Sequence, residues 1–418
     1  MPTSTTKAQP TVPTVPTVPG AAPEVYAGVD THADTHHAAV VDAVGRHLGD
    51  HEFDTTTAGL AALYAFISSF GTLIRVGVEG TASYGATLSS YLHDQGVSVS
   101  EVIHPSRAAR RRGKSDPIDA YNAAVTAAGN TDLPVPKLLG GVVDGIRALL
   151  KARTSAVKAR SAALTQIRSL LVTAPQDLRQ AYQCRSARML LARLATITDD
   201  TDHPLLIVLA GLARRIGFLD TEITDLHTRI TQMVTDTAPA LLAAKGVGTV
   251  TAAQLLVTAG QNPDRIGSKA KFAALCGVCP IPASSGKTQR MRLNRGGDRD
   301  ANCALYHIAL VRMASDQRTK DYIGRRLGEG KTKMEILRCL KRYIANEVYA
   351  LIVDPPQVGG VADLRPLRRQ RGLSIQAVAG VLEVHSNKIS AIERGVAHDA
   401  AFTQRYRAYL AEVTEAAA

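Results

Sequence analysis

Four acidic residues that are far apart in the sequence occupy positions from which they could act together on a phosphate ester. Asp30 and Glu79 each follow a short apolar stretch. Asp116 and Asp119 stand three residues apart at the predicted start of a helix, so both carboxylates can lie on one helical face. Converging carboxylates repel one another unless a divalent cation neutralises them, and hard oxygen ligands suit Mg²⁺, with Mn²⁺ as an alternative. Such a site could activate a nucleophile in phosphodiester chemistry, although each acid alone is more often a cap, a turn residue or a solvated charge.

Two clusters of basic residues lie near candidate reactive groups and could hold phosphates. The first precedes Asp116 and could equally be a solvated loop, and the second follows Ser285. A serine before glycine in a loop is usually a turn residue. Here neighbouring cations could stabilise a pentacoordinate phosphorus, and a base or metal could activate the hydroxyl. The clusters comprise Arg107, Arg110, Arg111, Arg112 and Lys114, and then Lys287, Arg290, Arg292 and Arg295.

Gly246 and Gly248 belong to the segment KGVGTVTAAQLL, in which a Gly-x-Gly turn opens a helix. This pattern is typical of helix-hairpin-helix elements, whose backbone amides hold a DNA phosphate. A simple packing turn would have the same pattern, so both interpretations stay open at this point.

The elements that must position the acids form an α/β pattern over residues 24–135. Three short strands separated by turns are predicted first, and helices then alternate with further strands. This order predicts a mixed, three-layer α/β sheet in which the first and fourth strands end side by side. The preceding residues, 1–23, repeat Thr, Val and Pro and are predicted to be a disordered tail.

Residues 140–238 are predicted to be helical, with a coiled-coil seam in the second of two long helices. The seam alternates steps of four and three residues and places Ile mostly at one core position and Leu at the other. That choice favours parallel pairing between two chains, and an intramolecular helical hairpin is the alternative. The first helix has a weaker seam, because Arg153 and Arg160 interrupt it. The seam comprises Leu205, Leu209, Leu212, Ile216, Leu219, Ile223, Leu226, Ile230 and Met233.

Residues 239–353 form a third predicted segment, which contains Ser285, and the linker 354–362 separates it from a helical segment at 363–413. The last segment resembles the helix-turn-helix of phage repressors of the XRE or Cro type. In that motif Ser386, Asn387 and Lys388 would begin the recognition helix and face base edges. Glu383 occupies the turn position where such motifs prefer glycine. The role of the whole segment 363–413 could be recognition of DNA ends, regulation, partner binding or structure alone.

The overall composition is basic, with a formal net charge of +12 over 418 residues, which suggests a polyanionic partner. Five cysteines without a recognisable secretory signal favour a reducing, cytoplasmic setting, and no apolar run is long enough for a membrane span. Cys276 and Cys279 form a CxxC pair that Cys303 and His307 could complete as a zinc site. The apolar surroundings of that pair argue against it.

Taken together, the motifs resemble the DEDD transposases of bacterial insertion sequences whose recombination is guided by a bridge RNA, relatives of the pilin-gene invertases. The resemblance covers roughly residues 25–350 and rests on VGVD, VGVEGTASYG, RRGKSDPIDA, GVGTVTAAQLL and FAALCGVCPIPASSGKTQRMRLNRGGDRDANCALY. It implies a RuvC-like (ribonuclease-H-like) domain that binds Mg²⁺ through Asp30, Glu79, Asp116 and Asp119. It also implies that Ser285, or its neighbour Ser284, attacks the DNA backbone.

The coiled-coil seam predicts a homo-oligomer that is at least a dimer. The resemblance implies a tetramer that acts on donor and target DNA with a guide RNA, and we expect it in the bacterial cytoplasm in association with the nucleoid. A metal-only junction resolvase or DNA invertase, in which Ser285 is structural, is the first alternative. A non-catalytic helix-turn-helix DNA-binding regulator is the second.

Overall fold

The computed structural model describes residues 22–102, 115–198, 200–286, 291–355, 361, 364–393, 397 and 399–413. The chain divides into two compact units, Met1–Leu138 and Leu139–Ala418. Most of the predicted tail and linker, and all of residues 103–114, therefore lie outside the described residues. Within the described ranges, no helix is both long and apolar enough to cross a membrane.

A five-stranded mixed sheet forms the centre of the first unit, as the sequence predicts. Its strand order is β3-β2-β1-β4-β5; the first three strands are antiparallel neighbours, and β4 and β5 run parallel to β1. The parallel pairing brings the carboxyl ends of β1 and β4 to the same edge. The strands are β1 (Glu24–Thr31), β2 (Thr35–Asp42), β3 (His47–Asp54), β4 (Thr72–Glu79) and β5 (Val99–Val102).

Helices cover both faces of this sheet and make the predicted three layers. On one face, alternate strand residues such as Val29 and Val78 share an apolar core with α1 (Thr57–Ser68) and α2 (Ala86–Asp94). On the other face lies α3 (Asp116–Gly129), which packs against β1, β2 and β4.

Small residues let α3 lie unusually close to the strands. A side chain at Gly28 would overlap the backbone of Ala120 and Ala124, and one at Gly77 would meet Ala123 and Val102. The face of the helix that meets the sheet is a row of buried alanines, whose small side chains also permit this close approach. These alanines are Ala120, Ala123, Ala124 and Ala127.

The second unit begins with a long helical hairpin inside one chain, so the predicted parallel coiled coil between two chains is not the arrangement observed. Ile167, near the end of α4, shares a core with Leu209 near the start of α7, whereas Ile146 shares one with Val234 at the other end. The two helices are therefore antiparallel. The apolar seam of α7 packs within its own chain. The elements are α4 (Val142–Val172), α5 (Gln176–Ala181), α6 (Ala187–Ala195) and α7 (Pro204–Thr237).

The base of this hairpin and the following segment share one apolar core, which includes Phe272, Leu305 and Ile344. Side chains cap two of the longer helices of that segment: Asp298 accepts hydrogen bonds at the start of α11, and Thr332 does so at the start of α13. The elements are α8 (Pro239–Ala243), α9 (Thr249–Ala259), a 3₁₀ turn (Pro263–Ile266), α10 (Lys269–Leu275), β6 (Ile281–Pro282), β7 (Met291–Arg292), α11 (Arg299–Ser315), α12 (Gln317–Gly328) and α13 (Lys333–Val353).

Four short helices at the end of the chain enclose a core of their own. Ser374 caps the second of them by accepting a hydrogen bond from the Ala377 amide at 3.0 Å. Ala379, Ile389 and Ile392 are buried, as expected for a helix-turn-helix. The helices are α14 (Leu364–Gln370), α15 (Ile375–Val381), α16 (Ser386–Glu393) and α17 (Ala400–Glu412).

A buried ion pair and a tyrosine hydroxyl link three of these helices, α14, α16 and α17. The Arg368 guanidinium donates to both carboxylate oxygens of Glu393, at 2.5 and 3.0 Å, and the Tyr406 hydroxyl donates to the same carboxylate at 2.6 Å. Burial alone would raise the pKa of Glu393, but the hydrogen bonds from Arg368 and Tyr406 outweigh it and lower that pKa. A buried pair is tolerated because its polar atoms have partners.

The first prediction concerns the contact between α3 and the sheet. We expect Gly28→Ala to lower the free energy of unfolding by about 1–3 kcal/mol, because the added methyl group meets helix backbone that cannot rotate away. Gly129→Ala is the matched control, since nothing lies within 4 Å of the site of its added methyl group. Urea denaturation of both variants measures the difference, and equal stabilities would contradict this account of the packing.

The second prediction concerns Glu383, whose φ of 53° lies in the left-handed region. Its Cβ costs about 1–2 kcal/mol in that conformation, and glycine avoids this cost. We expect Glu383→Gly to slow amide hydrogen exchange in α15 and α16, whereas Glu383→Ala keeps the Cβ and should not. Slower exchange in both variants would mean that the carboxylate, and not the backbone conformation, is responsible.

Candidate active site

The ends of β1 and β4 hold two of the predicted acids beside each other. Val29 pairs with Val78, so Asp30 and Glu79 follow at the same level of adjacent parallel strands. Side chains alternate along a strand, and Gly28 and Gly77 face α3, so Asp30 and Glu79 face α3 as well. Both acids are buried.

The first turn of α3 supplies the other two acids. Ser115 has extended backbone geometry, and its carbonyl oxygen accepts hydrogen bonds from the amides of Ile118 and Asp119. Asp119 is buried, whereas Asp116 is partly exposed. The positive end of the helix dipole favours carboxylates at this position.

His32 also belongs to this site, although it is not among the residues predicted from the sequence. Its Nε2 atom lies 3.2 Å from an Asp30 carboxylate oxygen and 3.4 Å from one of Asp116. One ligand atom from each of the three residues lies within 4.8 Å of the others. The alternation of strand residues was the available signal, since His32 is two positions after Asp30 and continues the same face.

The four predicted acids are therefore not equally close to one another. Asp30 and Asp116 meet around His32, whereas Glu79 and Asp119 are not within 4.8 Å of all three ligand atoms of that group. The hydroxyl of Thr31 donates to the backbone carbonyl of Glu79 at 2.9 Å and ties the two strand ends together. All four acids thus lie where the carboxyl ends of two strands meet the start of α3.

Further polar contacts hold the surroundings in place. The Tyr121 hydroxyl of α3 donates to the Gly45 carbonyl at 3.0 Å, which anchors the helix to the turn between β2 and β3. His37 and His47 share the Asp50 carboxylate, at 2.8 and 3.1 Å. His36 is buried, and this burial lowers its pKa.

Ser285 lies in a hairpin of the second unit. The short strands β6 and β7 are antiparallel, and Ser285 is exposed in the loop between them, followed by Gly286 with a φ of 55°. Arg292 and Arg295 are also exposed after this loop. Several predicted phosphate contacts lie outside the described residues: Lys287 and Arg290 here, and Arg107, Arg110, Arg111, Arg112 and Lys114 in the first unit.

The predicted helix-hairpin-helix turn connects α8 to α9. Gly246 has a φ of 78°, which accounts for glycine there. The amide of Gly248 donates to the Thr251 hydroxyl at 3.0 Å, so this amide already has a partner within the chain. Arg312 donates to the carbonyl of Lys245 at 2.6 Å and also pairs with Glu347. These contacts give the turn a packing role and leave its role in phosphate binding a prediction.

A cleft of about 840 Å³ lies beside this turn. Cations line it, and so do two tyrosines, of which Tyr343 is exposed. Acids including Asp316 and Glu347 line the same cleft, so it carries charges of both signs. The cations are Lys245, Arg312, Arg318 and Arg325.

The predicted recognition helix is α16. Asn387 is exposed at its start and Ser386 is partly exposed. The ammonium group of Lys388 instead lies 2.8 Å from an Asp399 oxygen and 4.3 Å from the centre of the Phe402 ring. Lys388 must leave these partners before it can contact a base, so its proposed role requires more rearrangement than that of Asn387.

The cysteines do not form a metal site among the described residues. Cys276 is buried, and burial raises the pKa of its thiol to about 12, which disfavours the thiolate that zinc requires. The described cysteines are free thiols, and the metal-compatible group found in the described ranges is the one at Asp30, His32 and Asp116.

Comparison with known families assigns most of the chain to transposase domains. Residues 27–174 match a transposase family of the IS110 DEDD type, and residues 238–324 match the transposase IS116/IS110/IS902 family. Residues 361–415 match a helix-turn-helix domain. The first match contains the acidic site, the second contains the Ser285 hairpin, and the third contains α14 to α17.

Similar proteins come from bacterial insertion elements. The insertion element IS900 uncharacterized 42 kDa protein of Mycobacterium paratuberculosis is 24% identical in an alignment of 385 positions that covers 80% of this chain and 96% of that protein. The insertion element IS110 uncharacterized 43.6 kDa protein of Streptomyces coelicolor is 25% identical in an alignment of 385 positions that covers 79% of this chain and 94% of that protein. The transposase for insertion sequence element IS1328 of Yersinia enterocolitica is 30% identical over 128 residues, or 29% and 38%. The chain carries the transposase domains of the IS110/IS116 family and a C-terminal helix-turn-helix domain, and it is an enzyme of the DNA transposase class.

Proposed function

We propose that this transposase cuts and rejoins DNA with a metal-assisted acidic site and a serine nucleophile. The observation that carries the proposal is the meeting of Asp30 and Asp116 around His32, at the point where β1, β4 and α3 converge. The strand order β3-β2-β1-β4-β5, with acids after β1 and β4, fits a RuvC-like (ribonuclease-H-like) domain.

The residues at this point fit a divalent cation, Mg²⁺ or Mn²⁺. Three acids are buried or nearly so, and the buried Nε2 atom of His32 has no hydrogen bond of acceptable geometry. Asp30, Glu79, Asp116 and Asp119 would hold the ion. When bound, it neutralises phosphate charge and activates a hydroxyl. The protein's own contribution is to hold these carboxylates together at a helix N-terminus.

The proposed role of Ser285 is nucleophilic attack on a DNA phosphate. Its hydroxyl gives its proton to a general base, its Oγ bonds to phosphorus, and one bridging P–O bond breaks; the leaving DNA oxygen takes up a proton and departs as a hydroxyl. Attack by a DNA hydroxyl on the phosphoserine then rejoins a strand and returns the serine. Its exposure in a loop followed by Arg292 and Arg295 supports this role, because the reacting phosphate needs access and positive charge.

Binding of the nucleic acids is proposed from charge and from the C-terminal domain. The net charge of +12 supports contact with phosphates, and the exposed Asn387 and the partly exposed Ser386 support base contacts by α16. A guide RNA and assembly into dimers or tetramers complete the proposal. Sequencing the nucleic acid that co-purifies with the protein, with and without ribonuclease treatment, tests the RNA.

The third prediction tests the nucleophile. On a suicide DNA substrate, the wild-type protein should form a covalent protein–DNA species that survives a denaturing gel. Ser285→Ala should abolish that species, because no other group forms the phosphoserine bond. Ser284→Ala is the matched control, since it changes the neighbouring exposed serine, and it should retain the species.

Three results would contradict this assignment in different ways. Loss of the covalent species in Ser284→Ala alone would move the nucleophile by one residue. Metal-dependent cleavage with no covalent species in the wild type would favour a resolvase or invertase. Loss of all DNA binding on deletion of residues 360–418, together with full activity of Asp116→Asn, would favour a regulator.

The fourth prediction tests the acidic site. In a plasmid recombination assay, Asp116→Asn should lower the rate by about 10²- to 10³-fold, because it removes one charge that the reaction uses. Asp132→Asn removes an exposed carboxylate shortly after α3 and should leave the rate unchanged. Equal effects of the two variants would show that the loss of one negative charge anywhere in this unit, and not the loss of Asp116 itself, lowers the recombination rate.

A further inference from the structure

We propose that His32 is a nitrogen ligand of the metal site and that the site therefore prefers a first-row transition metal ion, Mn²⁺, over Mg²⁺. The inference rests on the proposed function, because it requires that the acids bind a metal at all. It adds a residue outside the four acids and names the class of ion.

The distances around His32 match those between ligands of one ion. Metal–ligand bonds of about 2.1–2.2 Å place neighbouring ligand atoms about 3 Å apart. The Nε2 atom of His32 lies 3.2 Å from Asp30 and 3.4 Å from Asp116, so little movement is needed to share one ion.

The state of the His32 ring supports coordination over a simple ion pair. Its Nε2 atom is buried, yet it forms no hydrogen bond of acceptable geometry with either carboxylate. The side chain is nevertheless 44% exposed, so an ion from solution can reach the group. A buried ring nitrogen that lies close to two carboxylates, but is aligned to donate to neither, can instead share a metal ion with them.

The backbone holds His32 in this position. Asp30 and His32 lie on the same side of the chain as it leaves β1, and the His32 amide donates to the Thr35 carbonyl at 3.0 Å. Thr31 pairs with His36 across β1 and β2, which fixes the register of the turn. The ring is thus positioned by the sheet, as a metal ligand requires.

Two other described histidines near the site do not serve this role. His37 is bonded to Asp50 through its Nε2 atom. His36 shares the side of β2 that holds Ala38 and Val40, which pack in the core beneath α1 and α2, on the face opposite Asp30. Among the described histidines of this unit, His32 is therefore the one placed to meet the acids.

The chemistry of the ligands sets the preference among ions. Mg²⁺ takes oxygen ligands and retains water, whereas imidazole nitrogen suits first-row transition metals. Carboxylates suit Mn²⁺ as well as Mg²⁺. A ligand set of carboxylates with one imidazole therefore still suits Mn²⁺ but suits Mg²⁺ less well.

The fifth prediction tests this ligand with the untagged, full-length protein and Mn²⁺ as the probe. Pulsed electron paramagnetic resonance of the wild-type complex should show ¹⁴N coupling, which changes to ¹⁵N coupling when histidine is labelled. His32→Ala should lose the coupling and weaken Mn²⁺ binding by at least about 10-fold. Its Mg²⁺ affinity, measured by competition, should change much less.

His93→Ala is the matched control, because His93 is exposed on α2 in the same unit, and it should behave like the wild type. Circular dichroism establishes that both variants fold. Should His32→Ala fail to fold, the labelled wild-type protein still decides whether histidine binds the ion.

Two results separate this inference from the proposed function. Tight Mn²⁺ binding without histidine coupling, or coupling that persists in His32→Ala, overturns the role of His32 and leaves the acidic metal site standing. Absence of both Mn²⁺ and Mg²⁺ binding in the wild type overturns the metal site itself, and the role of His32 with it.

Discussion

The close approach of α3 to the sheet is the constraint on which the acidic site depends. The helix can reach its position only because Gly28 and Gly77 lack side chains and because its own buried face consists of alanines. Its first turn then lies at the ends of β1 and β4. Larger residues would lift the helix and carry Asp116 and Asp119 away from the strand ends. Packing in the middle of the sheet thus determines the electrostatics at its edge.

Convergence of like charges opposes folding, and this unit manages the conflict locally. The acids lie at the positive end of a helix, beside His32, and the strand ends are joined by the hydrogen bond from Thr31. A cation would lower the remaining repulsion. Sites with such stored repulsion are typical of function, because stability alone would not select them.

Much of the first unit could be predicted from the sequence, since strand and helix periodicities are local properties. The meander, the alternating helices and the positions of Asp30 and Glu79 at strand ends followed from them. His32 was missed because its importance depends on the approach of Asp116, which is a contact across 84 residues of sequence. For α7 the favoured prediction, pairing between two chains, was wrong, and the alternative, a hairpin within one chain, is the arrangement observed. An apolar seam specifies that a helix will be paired, but not whether the partner belongs to the same chain. The turn at Glu383 was identified as unusual, and its left-handed backbone is a local property as well.

The helical hairpin has a mechanical consequence. Its longer helix, α7, has 34 residues and so spans about 50 Å, and its base is part of the apolar core from which the Ser285 hairpin emerges. A rigid arm of about 50 Å converts a rotation of about 5° at its base into a displacement of about 4 Å at its tip. Conversely, a force applied at the far end of α7 would change the orientation of the serine loop.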